Sequence, residues 1–85
     1  MLAFKNLSEV AAREGNVSSE MKEMIAVAIA VATGCDDCIL YHVNEVKKRG
    51  GSRETLVEVL AVAIEMSGGP GAVYSARVVE AFDSL

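Results

Sequence analysis

The chain has 85 residues, of which 52% are hydrophobic, a mean hydropathy of +0.33 and a formal net charge of −4. Its Lys and Arg residues are scattered, so it lacks the clustered basic face that binding a nucleic-acid backbone requires. It does not begin with the composition of a secretory signal. The longest apolar run, Met24 to Ala32, is far shorter than the roughly 20 residues of a membrane span.

These features predict a single domain over residues 1–85 that is cytoplasmic and that binds neither nucleic acid nor a membrane. A small domain buries only about 60% of the surface that its unfolded chain exposes. So apolar a composition would therefore leave apolar area on the surface of a lone subunit. Because exposed apolar area of this kind marks interfaces, we expect the protein to assemble with copies of itself.

Apolar residues follow helical spacing through almost the whole chain, and no stretch keeps the period of two that marks a strand. The first predicted helix is short and amphipathic and ends at Gly15. Its apolar positions are Phe4, Leu7, Val10 and Ala11.

The second predicted helix is capped by Ser18 or Ser19, continues to about Thr33 and is broken by Gly34. From Met24 to Ala32 it is apolar on every side. We therefore expect this helix to be buried all round.

Three further helices follow. The third starts near Cys35 or Asp36 and ends at the glycine pair at positions 50 and 51, after a cationic C-terminal turn, Lys47-Lys48-Arg49, that answers the helix dipole. Ser52 caps the fourth, and Pro70 suits the first position of the fifth. The predicted buried positions of these last two helices are Leu56, Val57, Leu60, Ala61 and Ile64, then Val73, Tyr74, Val78 and Phe82. The predicted fold is all-α, with about five helices around a central helix hairpin.

The residues suited to chemistry are concentrated in the stretch GCDDCILYH, which holds both cysteines and the only histidine. On one helix, Cys35, Cys38 and His42 lie at i, i+3 and i+7 and share a face. A helix N-terminus stabilises a thiolate, and the spacing of the cysteines allows a disulfide to close across the first turn. His42, one turn beyond Cys38, is within reach to accept its proton.

Two acidic residues lie between the cysteines. Asp36 and Asp37 suit a helix N-terminus as caps or as partners of the dipole, but their charges raise the pKa of neighbouring thiols. The dipole and His42 must therefore outweigh them, or a base must activate the thiol.

Glu23 is the candidate carboxylate that orients the histidine, because a charge so close to the apolar run needs a partner. If the second helix folds back on the third, Glu23 lies roughly 16 Å and His42 roughly 11 Å from the turn. Two long side chains and a tilt between the helices can close that gap. A carboxylate that orients an imidazole, which activates a thiol, follows the logic of a catalytic triad.

Two other interpretations are open. The cysteines could be small buried apolar residues of a non-catalytic assembly subunit. Alternatively, Cys35, Cys38 and His42, with Glu23, could be the ligands of a metal-binding module. Structural zinc sites, however, usually take ligands from two separated pairs, and ligands at positions 0, 3 and 7 of a regular helix converge poorly on one ion.

The order of Glu23, Cys35-Asp36-Asp37-Cys38 and His42 resembles the Glu…Cys-x-x-Cys-x-x-x-His pattern of the alkylhydroperoxidase D-like proteins, which belong to the carboxymuconolactone decarboxylase family. The stretches AIAVATGCDDC and AVAIEMSGGPGAVYSA also resemble that family, so the likeness spans about residues 18 to 83.

The resemblance implies an all-α fold that assembles as a homotrimer or homohexamer, and an oxidoreductase activity, thiol-dependent peroxidase or disulfide reductase, with no cofactor. Carried over by position, Cys38 attacks the peroxide, Cys35 resolves the product, and His42 and Glu23 form the proton relay. The implied partner is a dithiol reductant, which in the alkylhydroperoxidase branch is a lipoyl group on a protein. The best-known peroxidases have a second histidine where this chain has Asp37, and the decarboxylase branch lacks the cysteine pair.

Overall fold

The computed structural model describes residues 2–85, in which five helices and no strand occur. The helices are α1 (Leu2–Ala12), α2 (Ser19–Thr33), α3 (Asp36–Lys48), α4 (Arg53–Ser67) and α5 (Gly69–Ser84). The prediction of an all-α fold with five helices is therefore confirmed. Within these residues, none of the helices combines the length and the apolar composition that crossing a bilayer would need.

The residues predicted to cap the helices do so. The Ser18 hydroxyl accepts the N–H of Met21 at 3.0 Å at the start of α2, and the Ser52 hydroxyl accepts the N–H of Thr55 at 3.1 Å at the start of α4. Pro70 lies in the first turn of α5, where its missing N–H has no helical partner to lose.

The turn between α2 and α3 is built from two residues that are both tied to α2. Gly34 adopts the left-handed conformation, with φ 69° and ψ 40°. Its N–H donates to the Val31 carbonyl at 3.3 Å, and the N–H of Cys35 donates to the Ala30 carbonyl at 3.0 Å. This pair of bonds is a Schellman motif. Because α3 begins at the next residue, Cys35 both completes the end of α2 and caps α3.

The core lies between α2, α3, α4 and α5, and α2 packs against each of the other four helices. α1 packs against α2 alone. The largest fully buried side chains are Met24, Val27, Val31, Ile39, Val43, Val46, Leu56 and Val78.

The prediction that α2 is buried on every side is wrong for the single chain. Met24, Val27 and Val31 are buried, whereas the side chains of Ile25 and Ile29 are 45% and 58% exposed. The physical reason is that α3, α4 and α5 cover only one side of α2, and α1 contacts it over a short length. An apolar stripe therefore remains on its outer side.

The apolar face of α1 also points outward. Residues Leu2, Phe4, Leu7 and Val10 are between 54% and 73% exposed, although the same spacing in a lone globular domain predicts an inward apolar face. The opposite side of the helix, which faces the rest of the chain, is polar and includes Lys5, Ser8 and Glu9. α1 is thus an amphipathic helix whose polar side faces its own subunit.

The predicted stripes of α4 and α5 are correct in part. Leu56, Leu60, Val78 and Phe82 are buried, and Tyr74 and Ile64 are half-buried. Val57, Ala61 and Val73 lie on outer surfaces, because each helix turns a narrower face to the core than its apolar composition suggests.

Candidate functional site

Cys35 and Cys38 form a disulfide across the first turn of α3, with their Cα atoms 5.3 Å apart. The Cys35 sulfur also accepts the N–H of Cys38 at 3.3 Å, so this side chain caps the helix. Cys38 is exposed and Cys35 is half-buried. A dithiol at this position would therefore be open to a reagent from solvent while its sulfurs lie beside the unpaired N–H groups of a helix start.

Glu23 and His42 are in direct contact, with 2.6 Å between Glu23 Oε1 and His42 Nδ1. Glu23 lies on α2 and is only 4% exposed, whereas His42 lies on α3 and is half-buried. The contact exists because α2 and α3 fold back on each other at Gly34, as the sequence analysis required. The rings of Tyr41 and His42 pack edge to face, with their centroids 4.9 Å apart.

The carboxylate determines which nitrogen of His42 can act as a base. An ionised Glu23 can only accept a hydrogen bond, so Nδ1 of a neutral imidazole must carry the proton and donate it. The lone pair is then on Nε2. The pair therefore has the chemistry of an oriented general base on the helix that carries both cysteines.

Arg49 is a residue of this site that the sequence analysis missed. Its Nη2 atom lies 3.8 Å from Glu23 Oε2 and 2.8 Å from Glu45 Oε1. The hydrogen bond between Glu45 and Arg49 lowers the pKa of the carboxyl group and raises that of the guanidinium. The i, i+4 spacing of Glu45 and Arg49 was a usable signal, but the approach to Glu23 depends on the register between α2 and α3.

Asp36 also has a cationic partner. Arg77 on α5 donates from Nη1 to both carboxylate oxygens of Asp36, at 2.7 Å each. This hydrogen bond raises the pKa of the Arg77 guanidinium. One of the two negative charges between the cysteines is therefore compensated by a side chain that the sequence analysis did not connect to the site.

A pocket of about 510 Å³ opens between α1 and the hairpin of α2 and α3. Glu23, Tyr41, His42 and Arg49 lie in one wall, and the polar side of α1 forms the other. The cysteines do not line this pocket. It therefore gives solvent access to the Glu23–His42 pair.

The four residues of the metal-binding interpretation form two pairs in this structure. The sulfurs of Cys35 and Cys38 form a disulfide, and Nδ1 of His42 is hydrogen-bonded to Glu23. Within residues 2–85, no three His, Cys, Asp or Glu side chains converge as a group that could hold a metal ion.

The sequence matches known proteins over most of its length. The carboxymuconolactone decarboxylase family matches residues 1–81. An uncharacterised protein of Cupriavidus necator is 46% identical over 85 residues, which are 100% of this chain and 75% of that protein. Uncharacterised protein 4 in the cox locus of Paracoccus denitrificans is 32% identical over 83 residues, 98% of this chain and 75% of the relative. The alkyl hydroperoxide reductase AhpD of Mycolicibacterium paratuberculosis is 32% identical over 57 residues, which are 67% of this chain but only 32% of that protein.

Solved structures of the same family share the fold. The apo crystal structure of a carboxymuconolactone decarboxylase family protein from Legionella pneumophila has a TM-score of 0.96 at 39% identity, over 99% of this chain and 75% of its own. A family protein of Thermotoga maritima has a TM-score of 0.90 at 28% identity, over 98% of this chain and 86% of its own. The family match and these shared folds agree with the motif around the two cysteines, and the chain belongs to the carboxymuconolactone decarboxylase family.

Proposed function

We propose that this protein is a thiol-dependent peroxidase of the alkylhydroperoxidase type, in which Cys35 and Cys38 cycle between a dithiol and a disulfide. The observation that supports this most strongly is the 2.6 Å contact between Glu23 and His42, a histidine that follows Cys38 by four residues on α3. The AhpD relative supports the reaction type, because its name assigns it to the reduction of alkyl hydroperoxides.

The cycle begins with the reduced protein. Glu23 holds Nδ1–H of His42, and Nε2 takes the proton of the Cys38 thiol, directly or through one water. The resulting thiolate lies in the first turn of α3, where the helix dipole stabilises negative charge. Cys38 is the attacking residue in this scheme because it is the more exposed of the two sulfurs and holds the family's position for that role.

The thiolate of Cys38 attacks the distal oxygen of a hydroperoxide. A sulfur–oxygen bond forms, the oxygen–oxygen bond breaks, and the alkoxide leaves as an alcohol after taking the proton from His42. Cys35 then attacks the sulfenic sulfur of Cys38, so that the disulfide forms and water leaves. The net reaction consumes one hydroperoxide and two thiols and yields one alcohol, one water and the disulfide.

The disulfide returns to the dithiol by exchange with a second dithiol, whose own sulfurs become oxidised. The proposed partner is therefore a dithiol reductant, and a lipoyl group on a protein is the candidate taken from the alkylhydroperoxidase branch. A cycle that depends on such a reductant fits a reducing compartment such as the cytoplasm.

Homo-oligomeric assembly of this single domain, as a trimer or a hexamer, is part of the proposal. The outer stripe of α2, around Ile25 and Ile29, and the outward apolar face of α1 together form the kind of surface that an interface between copies would cover. Such an interface would also bring the polar side of α1 and its pocket close to a subunit boundary.

A thiol titration tests the proposed cycle. The fully reduced protein should hold two free thiols, lose both on addition of one equivalent of an alkyl hydroperoxide, and regain both with a small dithiol. Cys38→Ser should abolish peroxide turnover, and Cys35→Ser should accumulate a sulfenic acid that a dimedone probe traps. Asn44→Ala, at an exposed position of the same helix, is the matched control.

Undiminished turnover by Cys38→Ser would refute this mechanism. Elemental analysis of protein purified without chelators tests the metal-binding alternative. If that alternative holds, the protein contains one equivalent of zinc and has no titratable thiols.

A further inference from the structure

We propose that Arg49 is a positioning residue for the Glu23–His42 pair and that Glu45 holds Arg49 in place for this task. The inference rests on the proposed function, in which the pair activates the Cys38 thiol. It extends the site by two side chains at the C-terminal end of α3, Glu45 on its last turn and Arg49 directly after it, where the motif of cysteines and histidine gives no indication of a role.

The two oxygens of the Glu23 carboxylate face different groups. Oε1 is 2.6 Å from Nδ1 of His42, and Oε2 is 3.8 Å from Nη2 of Arg49. Among the ion pairs of residues 2–85, Glu23 takes part in these two and no others. Of these two partners, Arg49 is therefore the one that carries a positive charge whether or not His42 is protonated.

Arg49 is anchored from three helices. Glu45 Oε1 accepts hydrogen bonds from Arg49 Nε at 3.3 Å and from Nη2 at 2.8 Å. Arg49 Nη1 donates to the Ala12 carbonyl at 3.3 Å and to the Ser19 hydroxyl. These contacts fix the plane of the guanidinium between the C-terminus of α1, the start of α2 and the end of α3. An arginine held in this way loses little further side-chain entropy when it faces Glu23.

The other charged and titratable side chains around the pair do not replace Arg49. Those that line the same pocket are Lys5, Glu9, Arg13, Glu14, Lys22 and Tyr41. The nearest cation along α2, Lys22, donates instead to the Arg13 carbonyl at 2.7 Å, and Glu14 accepts the N–H of Ser19 at 2.9 Å.

The contact of Arg49 with Glu23 affects which nitrogen of the His42 imidazole carries the proton. A buried carboxylate needs a partner for its charge, and Arg49 lies beside Oε2 of Glu23 while Oε1 faces the imidazole. Arg49 thereby holds the carboxylate in the orientation in which Oε1 accepts the hydrogen bond of Nδ1. Nδ1 then carries the proton, and Nε2 remains the nitrogen that is free to act as a base. Arg49 thus acts through Glu23 and touches neither sulfur nor substrate.

The test measures alkylation of the reduced protein by iodoacetamide as a function of pH, which reports thiolate formation without any peroxide. For Arg49→Gln we expect the midpoint of the profile to move to higher pH by less than about one unit, because Arg49 acts on the thiol only through Glu23 and His42. Arg49→Lys keeps a charge but cannot bridge Glu45 and Glu23, and should give a smaller shift in the same direction. Glu45→Gln, which keeps the guanidinium but weakens its anchor on α3, should do likewise.

Arg53→Gln is the matched control. Arg53 also bonds a carboxylate through two nitrogens, to Asp83 at 2.9 and 3.1 Å, but that ion pair joins α4 and α5. Its loss should leave the alkylation profile on that of the parent. Circular dichroism of each variant shows whether it is folded, and Arg49→Lys and Glu45→Gln decide the question if Arg49→Gln does not fold.

Glu23→Gln separates the inference from the function on which it rests. If the profile of Glu23→Gln matches the parent, the relay itself is refuted. If Glu23→Gln shifts the profile but Arg49→Gln, Arg49→Lys and Glu45→Gln do not, the relay stands and the role of Arg49 is overturned.

Discussion

Arg77 reaches Asp36 across 41 residues of sequence and donates to both oxygens of its carboxylate, at 2.7 Å each. The pair joins α5 to the first turn of α3, between the two cysteines. The same guanidinium lies 4.8 Å from the centre of the Tyr74 ring, and that ring packs against Gly34. α5 therefore holds the turn that carries the cysteines with one ion pair and one aromatic contact.

Arg77→Gln should make the thiols less reactive. It removes the cation that compensates Asp36, so the negative charge beside the sulfurs opposes thiolate formation more strongly. Both side chains are about half exposed, so we expect the midpoint of the alkylation profile to rise by less than about one pH unit. Asp36→Asn should move it the opposite way, and coincident profiles for the parent and both variants would contradict this account.

Gly34→Ala should destabilise the fold more than Gly50→Ala. Both glycines have positive φ values, 69° and 83°, at which an L-residue costs about 1–2 kcal/mol. Only at Gly34 would the added Cβ also meet a neighbour, at 3.2 Å from the ring of Tyr74, whereas nothing lies within 4 Å at Gly50. Urea unfolding at one fixed protein concentration measures the difference. Equal losses of unfolding free energy in the two variants would show that the Tyr74 ring moves aside at no energetic cost.

The ion pair of Glu45 with Arg49 should make stability depend on pH in the acid range. Because Arg49 lowers the pKa of Glu45 in the folded state, ionised Glu45 stabilises the protein above the ordinary carboxyl pKa of about 4.3. This stabilisation is lost as the pH falls through the lowered value. The gap in unfolding free energy between the parent and Glu45→Gln should therefore be largest near neutral pH and shrink below about pH 4.

Glu65→Gln is the control for that measurement, since Glu65 is exposed and takes part in none of the ion pairs of residues 2–85. Its stability should differ from that of the parent by a nearly constant amount. A gap for Glu45→Gln that stays constant down to pH 3 would mean that the ion pair contributes nothing to folding.

Ile29→Asp should reduce the assembly state of the protein. The Ile29 side chain is 58% exposed at the centre of the outer stripe of α2, and a charge there would have to be desolvated in any interface that covers the stripe. Sedimentation velocity of the parent should show a trimer or hexamer, and that of the variant smaller species. Asn44→Asp adds the same charge at an exposed polar position and should leave the assembly state unchanged. A parent that sediments as a monomer would refute the proposed assembly.

Much of the site could be predicted because it depends on local rules. Helix caps such as Ser18 and Ser52 act within four residues, and the break at Gly34 needs only the left-handed conformation that glycine adopts easily. Once α2 and α3 are known to fold back on each other, a buried carboxylate on one and an imidazole on the other have few other partners.

The remainder depends on packing that a periodic pattern does not record. The roles of Arg49 and Arg77 follow from where the end of α3 and the middle of α5 meet other helices, and long flexible side chains leave no periodic signal. The outward face of α1 and the exposure of Ile29 were unpredictable for a related reason. Apolar spacing predicts that one face of a helix is buried. It does not show whether the residues that bury this face belong to the same chain or to another copy.

The turn between α2 and α3 is short and constrained, since the N–H groups of its two residues, Gly34 and Cys35, are both hydrogen-bonded to the last turn of α2. An inserted residue there would have to be absorbed by turning α3 about its own axis, by about 100° per residue. Such a rotation would swing both sulfurs and the imidazole off their present side and part His42 from Glu23. The length of this connection therefore fixes the positions of the cysteines and of His42 relative to Glu23, and it cannot change without disturbing the proposed activation of the thiol.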